Sequence, residues 1–235
     1  MTRILAFDTS GQHCVAALSV DGCIVASQHE AMKRGQAERL FPMLEEMLAD
    51  MDATWSDLHA IAVGTGPGNF TGVRIAVSAA RGLAMALEVP AIGISNFEVI
   101  RHLTGVTGGR SLAVLPAPRD QWLWEATNDE GHPIAASMVP IGELGRHAHI
   151  EAPALIGVWS EKMEQGPSTD LDGIRVPDVA PAVSVNEFTT RLSGAIADLA
   201  GLRLASDTHI PRPAPLYIRP ADAAPASDPP PVILP

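Results

Sequence analysis

The 235-residue chain has only two cysteines, one tyrosine and no long apolar run, and these scarcities exclude several classes of protein. No stretch of about 18 consecutive apolar residues occurs, so we expect no transmembrane helix. The apolar run at residues 4–7 is too short for the core of a signal peptide. A hydrophobic content of 46% excludes global disorder. We therefore predict a folded, cytoplasmic protein that contacts no membrane.

Basic residues are also scarce relative to acidic ones. The chain has 16 Lys and Arg against 27 Asp and Glu, a formal net charge of −11. Lys33 and Lys162 are the only lysines, a bias that we attribute to genome composition. A chain that binds nucleic acid on its own usually presents a basic face. The composition therefore disfavours direct binding of tRNA or DNA by this chain alone.

The two cysteines lie in a predicted β-hairpin, whose strands are joined by the two-residue turn Asp21-Gly22. This turn predicts Val20 opposite Cys23, and Cys14 opposite His29. The two thiols are then roughly 20 Å apart along the ribbon. A disulfide needs Cα atoms within about 7 Å. We predict two free thiols in a reducing compartment.

Hydrophobic periodicity predicts an alternation of strands and helices. In the first half we predict strands at residues 3–7, 15–20, 23–28, 60–63 and 91–95, and helices at 36–51, from 71 to before Pro90, and from a cap at Asn96 to 103. In the second half we predict strands at 112–115, 122–126, 134–138 and 154–158, and helices at 141–147 and 185–200, whereas 160–180 has no clear period.

Glycine and proline mark two further boundaries. The glycine-rich residues 105–109 predict a linker between lobes. Nine of the last 25 residues are proline, a composition that favours extended chain and cannot build a core. Residues 211–220 can lie on the body through Leu216, Tyr217 and Ile218, and we expect disorder beyond 221.

The most informative segment is the glycine loop at residues 64–72, between a predicted strand and a predicted helix. Its backbone amides could approach a phosphate at the helix N-terminus. It nevertheless lacks the Gly-Lys-Ser/Thr of a P-loop and is not Gly-x-Gly-x-x-Gly. Asp8, Thr9 and Ser10, at the end of the first strand, could hold a magnesium-bound phosphate. For both segments the spacing supports a purely structural turn equally well.

The helix after this loop has two apolar stripes rather than one, which is unusual for a helix with a solvated outer face. Small residues on the second stripe would allow another backbone to approach closely. We predict a partner interface, with coverage by the protein's own second lobe as the alternative. The predicted interface residues are Thr71, Arg74, Ile75, Ser78, Ala79, Gly82, Met85 and Ala86.

The chemistry of catalysis and metal binding is weakly represented. His147 and His149 have a spacing that metal sites use, but no carboxylate or cysteine accompanies them, which favours an exposed loop pair. No Ser-His-Asp or Cys-His set can be assembled from the spacing. We therefore predict no catalytic residue and no metal site.

Six segments in order resemble the bacterial TsaB proteins, also named YeaZ. The most specific is Gly66-Pro67-Gly68-Asn69-Phe70-Thr71-Gly72-Val73-Arg74-Ile75. The others are Ile4-Leu5-Ala6-Phe7-Asp8-Thr9-Ser10, Arg39-Leu40-Phe41-Pro42, Gly82-Leu83-Ala84, Pro90-Ala91-Ile92-Gly93-Ile94-Ser95 and Pro215-Leu216-Tyr217-Ile218-Arg219. Gln36 stands where relatives commonly have a histidine. Pro116-Ala117-Pro118 stands where relatives often have Asp-Ala-Arg, and we assign it no role.

The resemblance implies an α/β fold of the actin, Hsp70 and sugar-kinase (ASKHA) type, with two lobes of mixed sheets flanked by helices. We place the actin-like first lobe at residues 1–105, a reduced second lobe at 106–210 and the proline-rich tail at 211–235. In such a fold Asp8, Thr9, Ser10, Gly66 and Gly68 would be a vestigial nucleotide or phosphate site.

The resemblance also implies a non-catalytic scaffold and activating subunit. Its partners would be a TsaD-type transferase subunit, which moves a threonylcarbamoyl group to N6 of the adenosine beside the tRNA anticodon, and a small TsaE-type ATPase. The chain would dock through its first-lobe helices and reach tRNA only indirectly. It would hold no cofactor tightly and would meet ATP only in the assembled complex. A homodimer through the same helices stays open.

Two other functions are weighed against this one. The first is an ATP-dependent small-molecule kinase of the same fold, in which Asp8 binds magnesium and the glycine loop binds the phosphates. No nucleotide motif is visible in the second half of the chain. The second is a zinc metallopeptidase, for which no ligand set is present in the sequence.

Overall fold

The computed structural model describes residues 1–106, 108–140, 154–159, 170–171, 174–175, 182–206 and 209–218. The strands are β1 (Arg3–Asp8), β2 (His13–Val20), β3 (Cys23–Ala31), β4 (Ala60–Gly64), β5 (Ala91–Ile94), β6 (Ser111–Ala117), β7 (Gln121–Thr127), β8 (Pro133–Pro140), β9 (Ala154–Trp159), β10 (Asp170–Leu171), β11 (Ile174–Arg175) and β12 (Ala182–Ser184). The helices are α1 (Gln36–Asp50), α2 (Phe70–Leu87), α3 (Asn96–Thr104) and α4 (Val185–Ala205), with a 3₁₀ turn at Trp55–Asp57.

Two five-stranded mixed sheets share one plan. The first has the order β3-β2-β1-β4-β5, in which β1, β2 and β3 form an antiparallel meander and β4 and β5 run parallel to β1. The second has the order β8-β7-β6-β9-β12, again a meander followed by two parallel strands. This repeated order confirms the predicted two-lobed actin-like fold. The division at residue 105 stays a prediction.

The hairpin prediction is confirmed at the turn and wrong by one residue at its far end. Val20 pairs with Cys23, but Cys14 pairs with Glu30 rather than His29, because a bulge between Leu18 and Ser19 inserts one extra residue into β3. Both thiols are free, as predicted. Burial raises the pKa of the Cys14 thiol to about 11, so this cysteine stays protonated.

One helix cap also differs from its prediction. Ser95, not Asn96, caps α3: the Ser95 hydroxyl accepts from the Glu98 amide at 3.2 Å, and the Glu98 carboxylate accepts from the Ser95 amide at 2.8 Å. This reciprocal capping box satisfies two backbone donors of the first turn. The Asn96 side chain is thereby available for contacts with the glycine loop.

The second-half strands are confirmed with longer bounds. Each of the four predicted strands lies inside β6, β7, β8 or β9, and the last predicted helix lies inside α4. The predicted helix at 141–147, His147, His149 and the tail beyond 221 lie outside the described residues.

The first sheet separates two hydrophobic clusters, because side chains alternate between the faces of a strand. Leu5 and Phe7 face α1 and α2 on one side. Ile4 and Ala6 face α3 and α4 on the other, in a cluster that also contains Ala113 and Ile156 of the second sheet. The core of α3 and α4 is therefore shared by both lobes, whereas α1 and α2 lie on the outer face of the first lobe.

A buried ion pair joins α3 to the second sheet. The Arg101 guanidinium donates to the Glu125 carboxylate at 2.7 Å and to the Ser111 hydroxyl at 2.9 Å. Burial raises the pKa of Glu125 above its ordinary value of 4.5, although the hydrogen bond and the charge of Arg101 act to lower it. Arg101 therefore provides the charge and the hydrogen bond that favour the ionised form of this buried carboxylate.

We expect Arg101→Met to lower the free energy of unfolding by about 3–5 kcal/mol at neutral pH, since it leaves the Glu125 charge buried and unpaired. Without Arg101 the pKa of Glu125 rises further. The deficit relative to wild type should therefore shrink as the pH falls towards 4.5 and grow as it rises. Urea titrations across this pH range measure it.

Arg191→Met is the matched control, because Arg191 pairs with Glu187 on the exposed surface of α4. It should cost less than about 0.5 kcal/mol. An Arg101→Met deficit that is equally small, or that does not change with pH, contradicts this account of the lobe contact.

Candidate functional site

The glycine loop and the turn after β1 lie side by side. β1 and β4 are parallel neighbours, with Phe7 opposite Val63, so their carboxyl ends meet at one edge of the sheet. This brings together all five residues of the predicted phosphate site. Asp8, Thr9 and Ser10 are fully or almost fully buried there.

The side chains of this cluster bind one another. One Asp8 carboxylate oxygen, Oδ1, accepts from the Ser10 amide at 2.7 Å, from the Ser10 hydroxyl at 2.8 Å and from His13 Nε2 at 2.8 Å. The Thr9 hydroxyl donates to the Gly72 carbonyl at 2.7 Å. The sequence prediction missed His13, which begins β2 and is buried. Its five-residue separation from Asp8 matches no motif that could have indicated this contact.

The glycines are needed for close contact between backbone segments. A Cβ on Gly72 would overlap the Thr9 carbonyl oxygen, and a Cβ on Gly68 would overlap the Ser10 carbonyl. A Cβ on Gly64 would overlap the second Asp8 carboxylate oxygen. The Cβ side of these three glycines is therefore occupied by the backbone of Thr9 and Ser10 and by the Asp8 side chain.

Three amide donors at the start of α2 have internal acceptors. Asn69 caps this helix: its side-chain oxygen accepts from the amides of Thr71 and Gly72, both at 3.0 Å. The Asn69 amide donates to the Ser10 carbonyl at 2.6 Å, and Asn96 donates to the Pro67 carbonyl at 2.8 Å. An N-cap preference could have indicated Asn69 from sequence, whereas the role of Asn96 depends on tertiary packing.

These residues do not fit a magnesium–ATP group. The one acidic side chain, Asp8, is fully buried: its Oδ1 accepts three internal hydrogen bonds, whereas its Oδ2 lies against Gly64 and has no hydrogen-bond partner among the described residues. The amides of Thr71 and Gly72 donate to the Asn69 side chain, and the Asn69 amide donates to the Ser10 carbonyl, so these three are not available to a phosphate. Nor does any group of three His, Cys, Asp or Glu side chains in the described ranges have the arrangement to hold a metal ion. The geometry favours the structural-turn interpretation of the loop.

The second stripe of α2 is left uncovered by the described residues. Val73, Ala76, Val77, Ala80 and Ala84 pack on the first sheet. On the other side Ile75 and Ala79 are half-buried, Gly82 and Ala86 are exposed, and Met85 is 81% exposed. The described part of the second lobe therefore does not cover this face. All eight predicted interface residues lie on it.

By length and composition alone α2 could cross a membrane, a criterion that core helices of soluble proteins also meet. It has a mean hydropathy of 1.3, yet only a third of it is buried. Its inner face belongs to the core cluster beside α1. The apolar residues of α2 that the core does not bury therefore lie on its outer face.

A groove of about 450 Å³ runs between α1 and α2. The small residues of α2 create it, because no side chain there fills the space beside α1. Phe41, 42% exposed, lines its α1 side. The lining residues are Ala37, Leu40, Phe41, Ile75, Ser78, Ala79, Gly82, Leu83 and Ala86.

The two helices that border the groove carry opposite charge. α2 has Arg74 and Arg81, both exposed, and no acidic residue. The exposed surface of α1 carries Glu38, Glu45, Glu46 and Asp50. A hydrogen bond from Arg39 holds the pKa of Glu30 and of Glu46 below the usual range, so both carboxylates stay ionised.

Comparison with known proteins relates this geometry to a family. A family described as "TsaD: tRNA N6-adenosine threonylcarbamoyltransferase" matches residues 22–117. The chain is 37% identical over 131 residues to the tRNA threonylcarbamoyladenosine biosynthesis protein TsaB of Escherichia coli, covering 54% of this chain and 56% of that one. It is 36% identical to TsaB of Bacillus subtilis, covering 44% and 47%.

Similarity to a solved structure extends over both lobes. YeaZ from Pseudomonas aeruginosa superposes with a TM-score of 0.65 at 26% identity, covering 92% of this chain and 100% of that one. The chain spans about half the length of the curated relatives it matches.

Gly72→Ala should lower the free energy of unfolding by about 3 kcal/mol or more, because a backbone carbonyl must move to admit the methyl group. Gly82→Ala is the matched control in the same helix, since nothing lies within 4 Å of a Cβ at Gly82. It should raise stability by about 0.5–1 kcal/mol through helix propensity. Chemical denaturation compares the two, and equal effects would contradict the packing described for the loop.

Proposed function

We propose, because the chain belongs to the TsaB/YeaZ family, that it is a non-catalytic scaffold and activating subunit in the synthesis of threonylcarbamoyladenosine in tRNA. The reaction is the transfer of a threonylcarbamoyl group to N6 of the adenosine beside the anticodon. The observation that carries the docking role is the uncovered apolar face of α2 with its groove against α1.

The internal contacts of the Asp8 cluster support a role without bond chemistry. A catalytic subunit of this fold needs an acidic side chain and backbone amides that can reach a nucleotide. Here Asp8 is buried, and the loop amides named above bind the protein itself. ATP therefore enters our proposal only in the assembled complex.

The partner we propose for the α1–α2 face is a TsaD-type transferase subunit, with a small TsaE-type ATPase completing the assembly. An apolar face of this kind is stabilised by burial against another protein. When the transferase is absent, a second copy of this chain would compete for the same face as a homodimer. We place the assembly in the cytoplasm.

Contact with tRNA would be indirect. The net charge of −11 repels the phosphate backbone. The basic surface that holds tRNA must then come from the partner.

Ala79→Glu tests the docking face. It puts a charge into the groove, where docking would remove it from water, so binding to the purified transferase subunit should weaken by about a hundredfold. The control is Ala135→Glu, the same change at an exposed position of β8 in the second lobe, opposite Ala126, which should leave binding unchanged. Native mass spectrometry and isothermal titration measure the complex.

Two results would contradict the proposal. Wild-type protein that forms no complex with the transferase removes the function itself. Ala79→Glu protein that remains folded by circular dichroism and binds as tightly as wild type removes the α1–α2 face as its site.

A further inference from the structure

Phe70, Arg74 and Tyr217 form a cation–aromatic cluster beside the docking groove. The Arg74 guanidinium carbon lies 3.6 Å from the centre of the Phe70 ring and 5.6 Å from that of Tyr217. Arg74 Nε donates to the Tyr217 hydroxyl at 2.7 Å. The two rings are 5.2 Å apart and tilted by 35°. Two residues from the start of α2 thus meet the only tyrosine of the chain, which follows Arg74 by 143 positions.

The segment that carries Tyr217 is itself fixed to the first lobe. The Leu216 amide donates to the Thr65 carbonyl at 2.8 Å, directly after β4. Pro213 is buried against Gly93, where a Cβ would lie 3.0 Å from the proline ring. Leu216 and Ile218 pack on the shared core, so the predicted contact of this segment with the body is observed. Tyr217 is therefore held in place by its neighbours on both sides.

Arg74 contacts two aromatic rings but has no carboxylate partner among the described residues. It forms no ion pair with any described carboxylate, although the chain contains 27 acidic residues. Tyr217 takes Nε and the Phe70 ring stacks on one face of the guanidinium, and the two terminal nitrogens have no acceptor among the described residues. Those two nitrogens form the planar fork that binds a carboxylate in bidentate fashion.

We propose that Arg74 is the polar anchor of the docking face and binds a carboxylate of the transferase subunit, and that Tyr217 positions it. The inference rests on the proposed function. The proposal adds the segment that carries Tyr217 to the recognition surface. Docking in the α1–α2 groove alone would not require this segment. Because Arg74 is already restrained, docking costs little side-chain entropy. This edge of the face therefore fits a partner surface on which a carboxylate lies beside an apolar patch. The pairing of that carboxylate with Arg74 fixes the position of the partner along α2.

The experiment measures the dissociation constant of the full-length chain with the purified transferase subunit at several salt concentrations. Arg74→Ala should weaken binding by about tenfold or more and flatten its salt dependence. Arg74→Lys keeps the charge without the fork and should recover only part of the affinity. Arg81→Ala is the control, because it removes the same charge from the same exposed helix without an aromatic neighbour.

Tyr217→Phe keeps the ring and removes the acceptor of Arg74 Nε. It should weaken binding several-fold in the wild-type background and have no further effect in Arg74→Ala, which identifies a positioning residue through a double-mutant cycle. A purely structural role would instead lower the melting temperature and leave the two effects additive.

The failures are distinguishable. No complex with wild type overturns the proposed function. A complex that Arg74→Ala leaves intact, or that Arg81→Ala weakens equally, overturns the anchor and leaves the function standing. Loss of self-association alone in Arg74→Ala, with transferase binding unchanged, assigns the anchor to a homodimer and overturns the partner named here.

Discussion

The close approach of the glycine loop to the turn after β1 is the constraint on which the rest of the structure depends. Gly68 and Gly72 bring the start of α2 against the carbonyls of Ser10 and Thr9. Hydrogen bonds of Thr9 and Asn69 then fix that position. Because the first turn of α2 is fixed, the helix cannot rotate about its axis. One apolar stripe therefore packs on the first sheet and the other faces outward. The groove against α1 and the location of Arg74 follow from this single contact.

The same contact accounts for the arrangement of the two lobes around the docking face that we propose. The strand edge where β1 and β4 end is filled by Asp8, Ser10 and His13, which hydrogen-bond to one another through one carboxylate oxygen of Asp8. The two sheets keep the same strand order, and α3 and α4 join them through one hydrophobic cluster and the Arg101–Glu125 pair. The outer face of the first lobe then exposes apolar residues of α1 and α2, among them Phe41 and Met85.

Sequence alone predicted the features that depend on local pattern. The strand and helix order from β1 to α3, the Asp21-Gly22 turn and the two stripes of α2 follow from periodicity and turn chemistry. The features that the sequence did not predict are set by tertiary contacts. The bulge in β3 shifted the partner of Cys14, and the capping box of Ser95 and Glu98 left Asn96 for the glycine loop. Neither His13 on Asp8 nor Tyr217 on Arg74 has a short-range signal.

Amide hydrogen exchange of the chain, with and without the transferase subunit, tests the central claim most directly. Docking on the α1–α2 face should suppress local opening of these helices, so their amides should exchange more slowly in the mixture. The amides of the glycine loop should change little, because those of Asn69, Thr71 and Gly72 already have internal acceptors. Protection confined to the glycine loop and the Asp8 turn, with α1 and α2 unchanged, would contradict the claim.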